Sequence, residues 1–435
     1  MADTLVDDNF ETQNTGTKMQ FNQTTRIIFL IFLSSASIID GFAFSKSSVL
    51  SRSMLTNAST KSLYLSTTSA AGTNSAAEIL PPDYSAVYKK TLSMLEGKIP
   101  PDMEETLLHF VTEYFTAASN NPSASPEQTA KCILEALEYS AALGLGENKF
   151  KFGNFHKAVR ANSEHNPMPN VDFSDFGINF FKNAINLPNS VILGEENLRR
   201  AFEKIKAGEN VVFLANHQSE ADPQVISILL ESIGLEEEAG EITYVAGHKV
   251  TTDALAIPFS MGRNLLCIHS KKHIDADPET KPAKQKQNLA SMSAMLGLMK
   301  KGGCSLWVAP SGGRDRRNVE TGEVPIATFD QKTIDMFRLM GNKSKVKTHF
   351  FPLAMVSYEL CPPPDFLEAG VGEKRNIRFS PIGIAVGKEV PNVGGVDSRH
   401  LFTEHAFEEC QQDYEKLLKA IEEKDIAAKP RPPPL

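Results

Sequence analysis

Five short apolar runs, at residues 211–215, 242–246, 265–269, 305–309 and 350–357, set the strongest limit on how this chain can fold. Each has the length of a buried strand, and stretches with helical periodicity at 224–233, 284–301 and 331–340 lie between several of them. Strand-length runs alternating with helices predict an α/β unit, a mixed sheet flanked by helices on both sides. Residues 376–386 are a further strand candidate and 402–424 a closing helix. Ahead of them, residues 82 to about 160 show helical spacing at 84–95, 103–118 and 127–143 and no convincing strand. Pro100-Pro101 and the Ser/Pro/Asn stretch 120–126 separate these segments. A small N-terminal helical bundle is the expected form, with Phe110, Tyr114, Phe115 and Leu134 in its core. The expected boundaries are therefore 78–165 for the helical domain, 166–428 for the α/β domain, and 429–435 for a Pro-rich tail.

The run at 210–215 is followed by Asn216-His217-Gln218-Ser219-Glu220-Ala221-Asp222-Pro223 and then by a helical pattern. This reads as strand, tight turn and helix, with Asp222 as the cap and Pro223 in the first turn. His217 is the only side chain in the turn that exchanges a proton near neutral pH. A carboxylate across the turn can hold its imidazole in one tautomer and leave the other nitrogen free to take a proton. Such a pair is the base half of a catalytic triad without its protein nucleophile, and a substrate hydroxyl would fill that place. The competing reading is a helix cap beside a surface histidine.

Composition narrows the classes. The net charge of −8 argues against a general nucleic-acid binder. Residues 241–320 nevertheless hold twelve Lys/Arg against seven Asp/Glu, a local basic surplus suited to phosphate and to an acidic partner. Five cysteines are scattered without CxxC spacing, which fits a reducing compartment and no metal site built on cysteine. No Walker A loop, GxSxG elbow or dinucleotide fingerprint occurs.

Three further segments extend the signal. Residues 255–274 read LAIPFSMGRNLLCIHSKKHI, 306–316 read LWVAPSGGRDR and 350–364 read FFPLAMVSYELCPPP. Their order and spacing, with the His217 turn first, resemble the four blocks of the glycerolipid acyltransferase superfamily, and their wording resembles the soluble plastid glycerol-3-phosphate acyltransferases. The resemblance covers roughly residues 82–423. It implies that His217, oriented by Asp222, activates the sn-1 hydroxyl of glycerol 3-phosphate for attack on an acyl thioester. It also implies that Lys272, His273, Arg314 and Arg316 bind the substrate phosphate, with Arg263 and Ser311 as additional candidates. The donor would be acyl–acyl carrier protein or acyl-CoA, and neither cofactor nor metal is called for. Alternatives are a lysophosphatidate sn-2 acyltransferase, or a non-catalytic homologue that binds acyl carrier protein or lipid.

The residues themselves support a phosphate site. Ser270-Lys271-Lys272-His273 and Gly312-Gly313-Arg314-Asp315-Arg316 each follow a strand candidate, on the edge expected to carry His217. Alternating arginines after a Gly-Gly pair can offer bidentate donors to one phosphate. Asp315 is expected to be a local salt-bridge partner, Lys271 and Arg317 solvated cations, and Glu220 a cap for the following helix. Leu255, Ile257, Phe259 and Met261 alternate with small or polar residues, as an acyl groove or, more simply, sheet core would.

Residues 1–77 read as a bipartite address. Residues 27–39 are mostly apolar and follow Arg26, and at thirteen residues they suit a signal-peptide core rather than a bilayer span of about 20 residues. Gly41 and Ala43 precede Phe44 as a small-residue cleavage site, giving a signal peptide of about 1–43. Residues 44–77 are rich in Ser and Thr, carry Lys46, Arg52 and Lys61, and contain no acid, which is transit-segment composition. The arrangement resembles the presequences of algae with membrane-wrapped secondary plastids, diatoms especially, and implies the plastid stroma. A peripheral membrane contact stays open, since no residue singles out a patch.

Overall fold

A computed structural model describes residues 79–428, apart from 100, 148, 271–273, 276, 365–373 and 394–397. The address segment 1–77 and the tail 429–435 lie outside the described residues. The chain begins with three helices, α1 (Pro82–Leu95), α2 (Pro101–Ser119) and α3 (Pro126–Gly144). Each opens on a proline, whose missing N–H a helix does not use in its first turn. Ser125 caps α3 through its side chain, which accepts from the Gln128 amide.

The elements that follow are β1 (Phe155–His156), α4 (Phe173–Lys182), β2 (Val191–Leu193), α5 (Glu195–Lys206), β3 (Asn210–Ala215), α6 (Asp222–Glu231), α7 (Glu236–Glu241) and β4 (Thr243–Gly247). Then come α8 (Ala256–Met261), β5 (Asn264–Ile268), α9 (Lys281–Lys301), β6 (Ser305–Val308), α10 (Gln331–Ser344), β7 (Thr348–Val356), β8 (Gly383–Val386) and α11 (Arg399–Ala428). The strands form one eight-stranded sheet in the order β1-β5-β4-β6-β3-β7-β8-β2. From β5 to β7 all neighbours are parallel, whereas β1 and β8 run antiparallel to β5 and β7. Every residue of β3 is buried, as a central strand covered on both faces requires.

Alternation of side chains across the sheet divides the core. Val211, Phe213, Tyr244, Leu265, Trp307 and Phe351 face α4, α6 and the helical unit. Val212, Leu214, Leu266, Leu306, Val308 and Phe350 face α9, α10 and α11. The first of these layers continues without a break into α1–α3. There Tyr114 stacks on Phe180 at 4.2 Å, and its hydroxyl donates to the Phe180 carbonyl at 2.9 Å. All five cysteines are free thiols. Among the described residues no helix is long and apolar enough to cross a membrane.

The mixed sheet, the helices on both faces and the N-terminal helices agree with the sequence reading. Four details differ. The segment expected to lack strands contributes β1, a two-residue edge too short to show alternation. The edge strand β2 is equally short and carries no sequence signal of its own. The strand expected over 376–386 is confined to Gly383–Val386. The alternation around Leu255 to Met261 belongs to the short helix α8, in which Ile257 and Met261 are buried core. Because the central strands are parallel, the segments that follow β3, β4, β5 and β6 emerge on one edge of the sheet.

Candidate active site

The turn after β3 is built by two buried amide side chains, with His217 between them. Asn216 Oδ1 accepts from the Met355 amide at 2.7 Å, and its Nδ2 donates to the Met355 carbonyl at 3.1 Å. The side chain thereby extends the β3–β7 pairing one step beyond Ala215. Gln218 Oε1 accepts from the amides of Ser357 and Tyr358 at 2.8 and 3.1 Å, and its Nε2 donates to the Tyr414 hydroxyl at 3.1 Å. With both neighbours fixed, His217 leaves the turn with 25 % of its side chain exposed. Its ring meets Trp307 edge-on, centroids 5.6 Å apart.

His217 Nδ1 lies 2.7 Å from Asp222 Oδ2. The same oxygen accepts from the Gln218 amide at 2.9 Å, and Oδ1 accepts from the Ser219 amide and hydroxyl at 3.1 and 3.2 Å and from Ser357 Oγ at 2.5 Å. The Asp222 side chain is fully enclosed. A carboxylate in that setting only accepts, so the Nδ1 proton is its donor and the lone pair is on Nε2. Asp222 is the first residue of α6 and Ala221 occupies the cap position. The expected capping role is replaced by a carboxylate folded back over the turn.

Of the expected phosphate residues, Lys272 and His273 lie outside the described residues. Arg314 and Arg316 follow β6 on the edge that carries His217. Asp315 between them does not pair with an arginine. It is fully buried, its amide donates to the His217 carbonyl at 2.6 Å, and its carboxylate accepts from Asn216 Nδ2 and the Ala327 amide, both at 2.9 Å. Burial pushes its carboxyl up to about 6, against those two hydrogen bonds. The arginine loop is therefore tied to the His217 turn at one residue. Arg316 Nη1 donates to the Pro364 carbonyl at 2.6 Å. Ser311 Oγ donates to the Gly313 carbonyl at 3.0 Å, which steadies the bend before Arg314. Arg317 is not a solvated cation. It pairs with Glu359 and lies over the Tyr358 ring, 5.2 Å from its centroid.

Arg263 is buried behind α6, where Nη1 donates to Ser227 Oγ at 2.8 Å. Burial lowers its guanidinium to about 10. It braces the helix that carries Asp222. Glu220 pairs with Arg375 through two guanidinium nitrogens and does not cap the next helix. Burial would raise this carboxyl, but the Arg375 charge outweighs it and holds Glu220 below the ordinary carboxylate range. Lys249, two residues past β4, stands close enough for Arg314 and Arg375 to add to the lowering of its ammonium that burial begins. Sequence reasoning passed over Lys249, Ser357 and Arg375. Lys249 had a usable signal, a cation just beyond a strand on the same edge. Among the described residues no cluster of His, Cys, Asp and Glu could hold a metal ion.

This sheet-edge turn falls inside residues 192–356, which match the family model described as Acyltransferase. The chain is 33% identical over 334 residues to the chloroplastic glycerol-3-phosphate acyltransferase of Arabidopsis thaliana, covering 75% of this chain and 70% of that protein. It is 35% identical over 346 residues to a chloroplastic glycerol-3-phosphate acyltransferase of Cucurbita moschata, covering 78% and 72%. With the relative of the same description from Spinacia oleracea it shares 39% over 244 residues, covering 56% and 50%. The chain belongs to the chloroplast-type glycerol-3-phosphate acyltransferase family.

Proposed function

We propose that this protein transfers an acyl group from a thioester to the sn-1 hydroxyl of glycerol 3-phosphate, giving 1-acyl-glycerol 3-phosphate. The observation that carries the mechanism is the 2.7 Å bond from His217 to a fully enclosed Asp222, at the strand edge where Arg314 and Arg316 emerge. An alcohol is too weak an acid to attack a thioester unaided. His217 Nε2 takes the hydroxyl proton as the oxygen bonds to the carbonyl carbon, and Asp222 stabilises the imidazolium. Collapse of the tetrahedral intermediate breaks the C–S bond, and the departing thiolate takes the proton back from Nε2. The sequence needs no acyl-enzyme and no cofactor. Arg314 and Arg316 hold the phosphate, and the family resemblance adds Lys272 and His273.

Acyl–acyl carrier protein is the preferred donor over acyl-CoA, because the basic surplus in 241–320 complements an acidic protein. The plastid is the site of action, as the chloroplastic relatives support, and the stroma is the compartment we assign. The test is incubation of the protein from residue 78 onward with glycerol 3-phosphate and labelled palmitoyl– or oleoyl–acyl carrier protein. Labelled lysophosphatidate is expected from the wild type, and His217→Ala should lose about 10³-fold or more. A folded wild type that acylates lysophosphatidate and refuses glycerol 3-phosphate would overturn the assignment.

A further inference from the structure

Helix α2 presents Glu105, His109 and Glu113 at four-residue intervals, a stripe that advances about 6 Å per step. Facing it is the segment 374–378 that leads towards β8, in which Lys374 and Asn376 meet the stripe and Arg378 adds its charge to Glu113. Extended chain advances about 6.6 Å per two residues, so the two spacings keep register over this length. Lys374 Nζ donates to Glu105 Oε1 at 2.6 Å, and His109 Nε2 donates to Asn376 Oδ1 at 2.8 Å. Burial raises the Glu113 carboxyl, and the charges of His109 and Arg378 oppose that rise.

Arg375, between two residues that α2 holds, turns the other way, as alternate residues in such a run do. Its Nε and Nη2 donate to the two oxygens of Glu220, and Nη2 also lies 3.0 Å from Asp253 Oδ1. Glu220 is part of the turn between His217 and Asp222. Asp253 Oδ1 in turn accepts from the amides of Leu255 and Ala256 at the start of α8. The side chains of Arg375 and Asp253 are 7% and 6% exposed, and that of Glu220 is 20% exposed. The outer pair, Lys374–Glu105, is on the surface and contributes little alone. The strong link is the forked bond between a guanidinium and a largely buried carboxylate.

We propose that Arg375 is a positioning residue for the acyl transfer and that α2 sets its place, so that the helical unit acts on the reaction through one side chain. This rests on the reading of His217 as the base. Loss of the guanidinium takes the forked partner from the largely buried Glu220, three residues from His217, leaves only the charges of Arg314 and Lys249 to offset it, and shifts the turn as that carboxylate rehydrates. A displacement of about 1 Å at a base is enough to cost about 10²-fold in rate.

The experiment measures kcat and KM for glycerol 3-phosphate in wild type, Arg375→Gln, Arg375→Lys, His109→Ala, the pair His109→Ala/Arg375→Gln, and the pair Glu220→Gln/Arg375→Gln. Arg375→Gln should lower kcat about 100-fold and change KM by less than about threefold, since the phosphate residues are untouched. Arg375→Lys should recover about tenfold of that loss, and so should Glu220→Gln/Arg375→Gln, which removes the unpaired carboxylate inside the His217 turn. His109→Ala should lower kcat about threefold in the wild type and add nothing in the Arg375→Gln background. Wild-type kcat in Arg375→Gln, or losses from His109→Ala and Arg375→Gln that simply multiply, would overturn the proposal. If Arg375→Gln does not fold, wild-type kcat in Arg375→Lys overturns it equally. A wild type that makes no product refutes the proposed function instead. The link between α2 and Arg375 is then read from whether His109→Ala and Arg375→Gln shift the urea unfolding midpoint non-additively, and additive shifts would overturn it.

Discussion

Asp222 accepts from His217, Gln218, Ser219 and Ser357 while excluded from solvent, so its replacements separate orientation from charge. Asp222→Asn keeps the shape but can present an amide N–H to Nδ1, which favours the wrong tautomer. A fall in kcat of about 10³–10⁴-fold with little change in KM is expected from steady-state kinetics. Ser357→Ala removes a donor from the Asp222 carboxylate and should cost about 1.5–3 kcal/mol, on the order of 10- to 100-fold in kcat. Asp315 makes a different prediction. Burial raises its carboxyl from 3.8 to about 6, so between those values the folded protein holds a proton that the unfolded chain has released. The stability this contributes is full below about pH 4 and is lost as pH rises through about 6, on the order of 3 kcal/mol. Urea midpoints of wild type and Asp315→Asn should therefore draw apart between about pH 4 and 7, the wild type losing ground. A constant offset would show that the buried carboxyl titrates alike in both states. His217 and Asp222 were legible in the sequence because one turn holds both. Ser357 and Arg375 reach the same turn from 135 and 155 residues away, and no local pattern announces them.

The elements that sequence patterns captured best are those buried on both faces. β3, β4, β5, β6 and β7 are apolar runs because neighbouring strands and two helical layers leave them no solvent side. Edge strands β1 and β2 are two and three residues long, below the length at which alternation can be recognised. α8 misled for another reason: in six residues a helix shows less than two turns, and apolar residues spaced by two fit its buried face as well as a strand. Close approach between elements is set by glycine at one informative place. Gly144 ends α3, and a Cβ there would come within 2.5 Å of the Ala254 carbonyl oxygen just before α8. Backbone cannot yield as a side-chain tip does, so Gly144→Ala should destabilise by about 1–3 kcal/mol through overpacking. The loss should appear in thermal or urea unfolding, and an unchanged midpoint would mean that α3 and α8 move apart without cost.

For the molecule as a whole, the sequence suggested a helical domain followed by an α/β domain, and the shared apolar layer decides how far they can act separately. Phe173, Phe176, Phe180 and Phe181 on α4 are buried in the same layer as Tyr88, Phe110, Tyr114 and Phe115 from α1 and α2. Asn183 Nδ2 donates to the Tyr114 hydroxyl at 2.9 Å, a buried polar link across that layer. Removing α1–α3 would expose several hundred Å² of aromatic surface, at about 25 cal/mol per Å² on the order of 10 kcal/mol. A typical domain has only about 5–15 kcal/mol of stability in total. The same cut removes the α2 stripe that places Arg375, so stability and catalysis should be lost together. A fragment of residues 166–428 is therefore expected to bind a hydrophobic dye, to unfold without a cooperative transition, and to transfer no acyl group. Adding residues 79–165 as a separate chain should restore the transition and part of the activity, because Tyr88, Phe110, Tyr114 and Phe115 then cover the aromatic face of α4 again. Cooperative unfolding of the 166–428 fragment by itself would show instead that the aromatic layer joins two independently stable bodies.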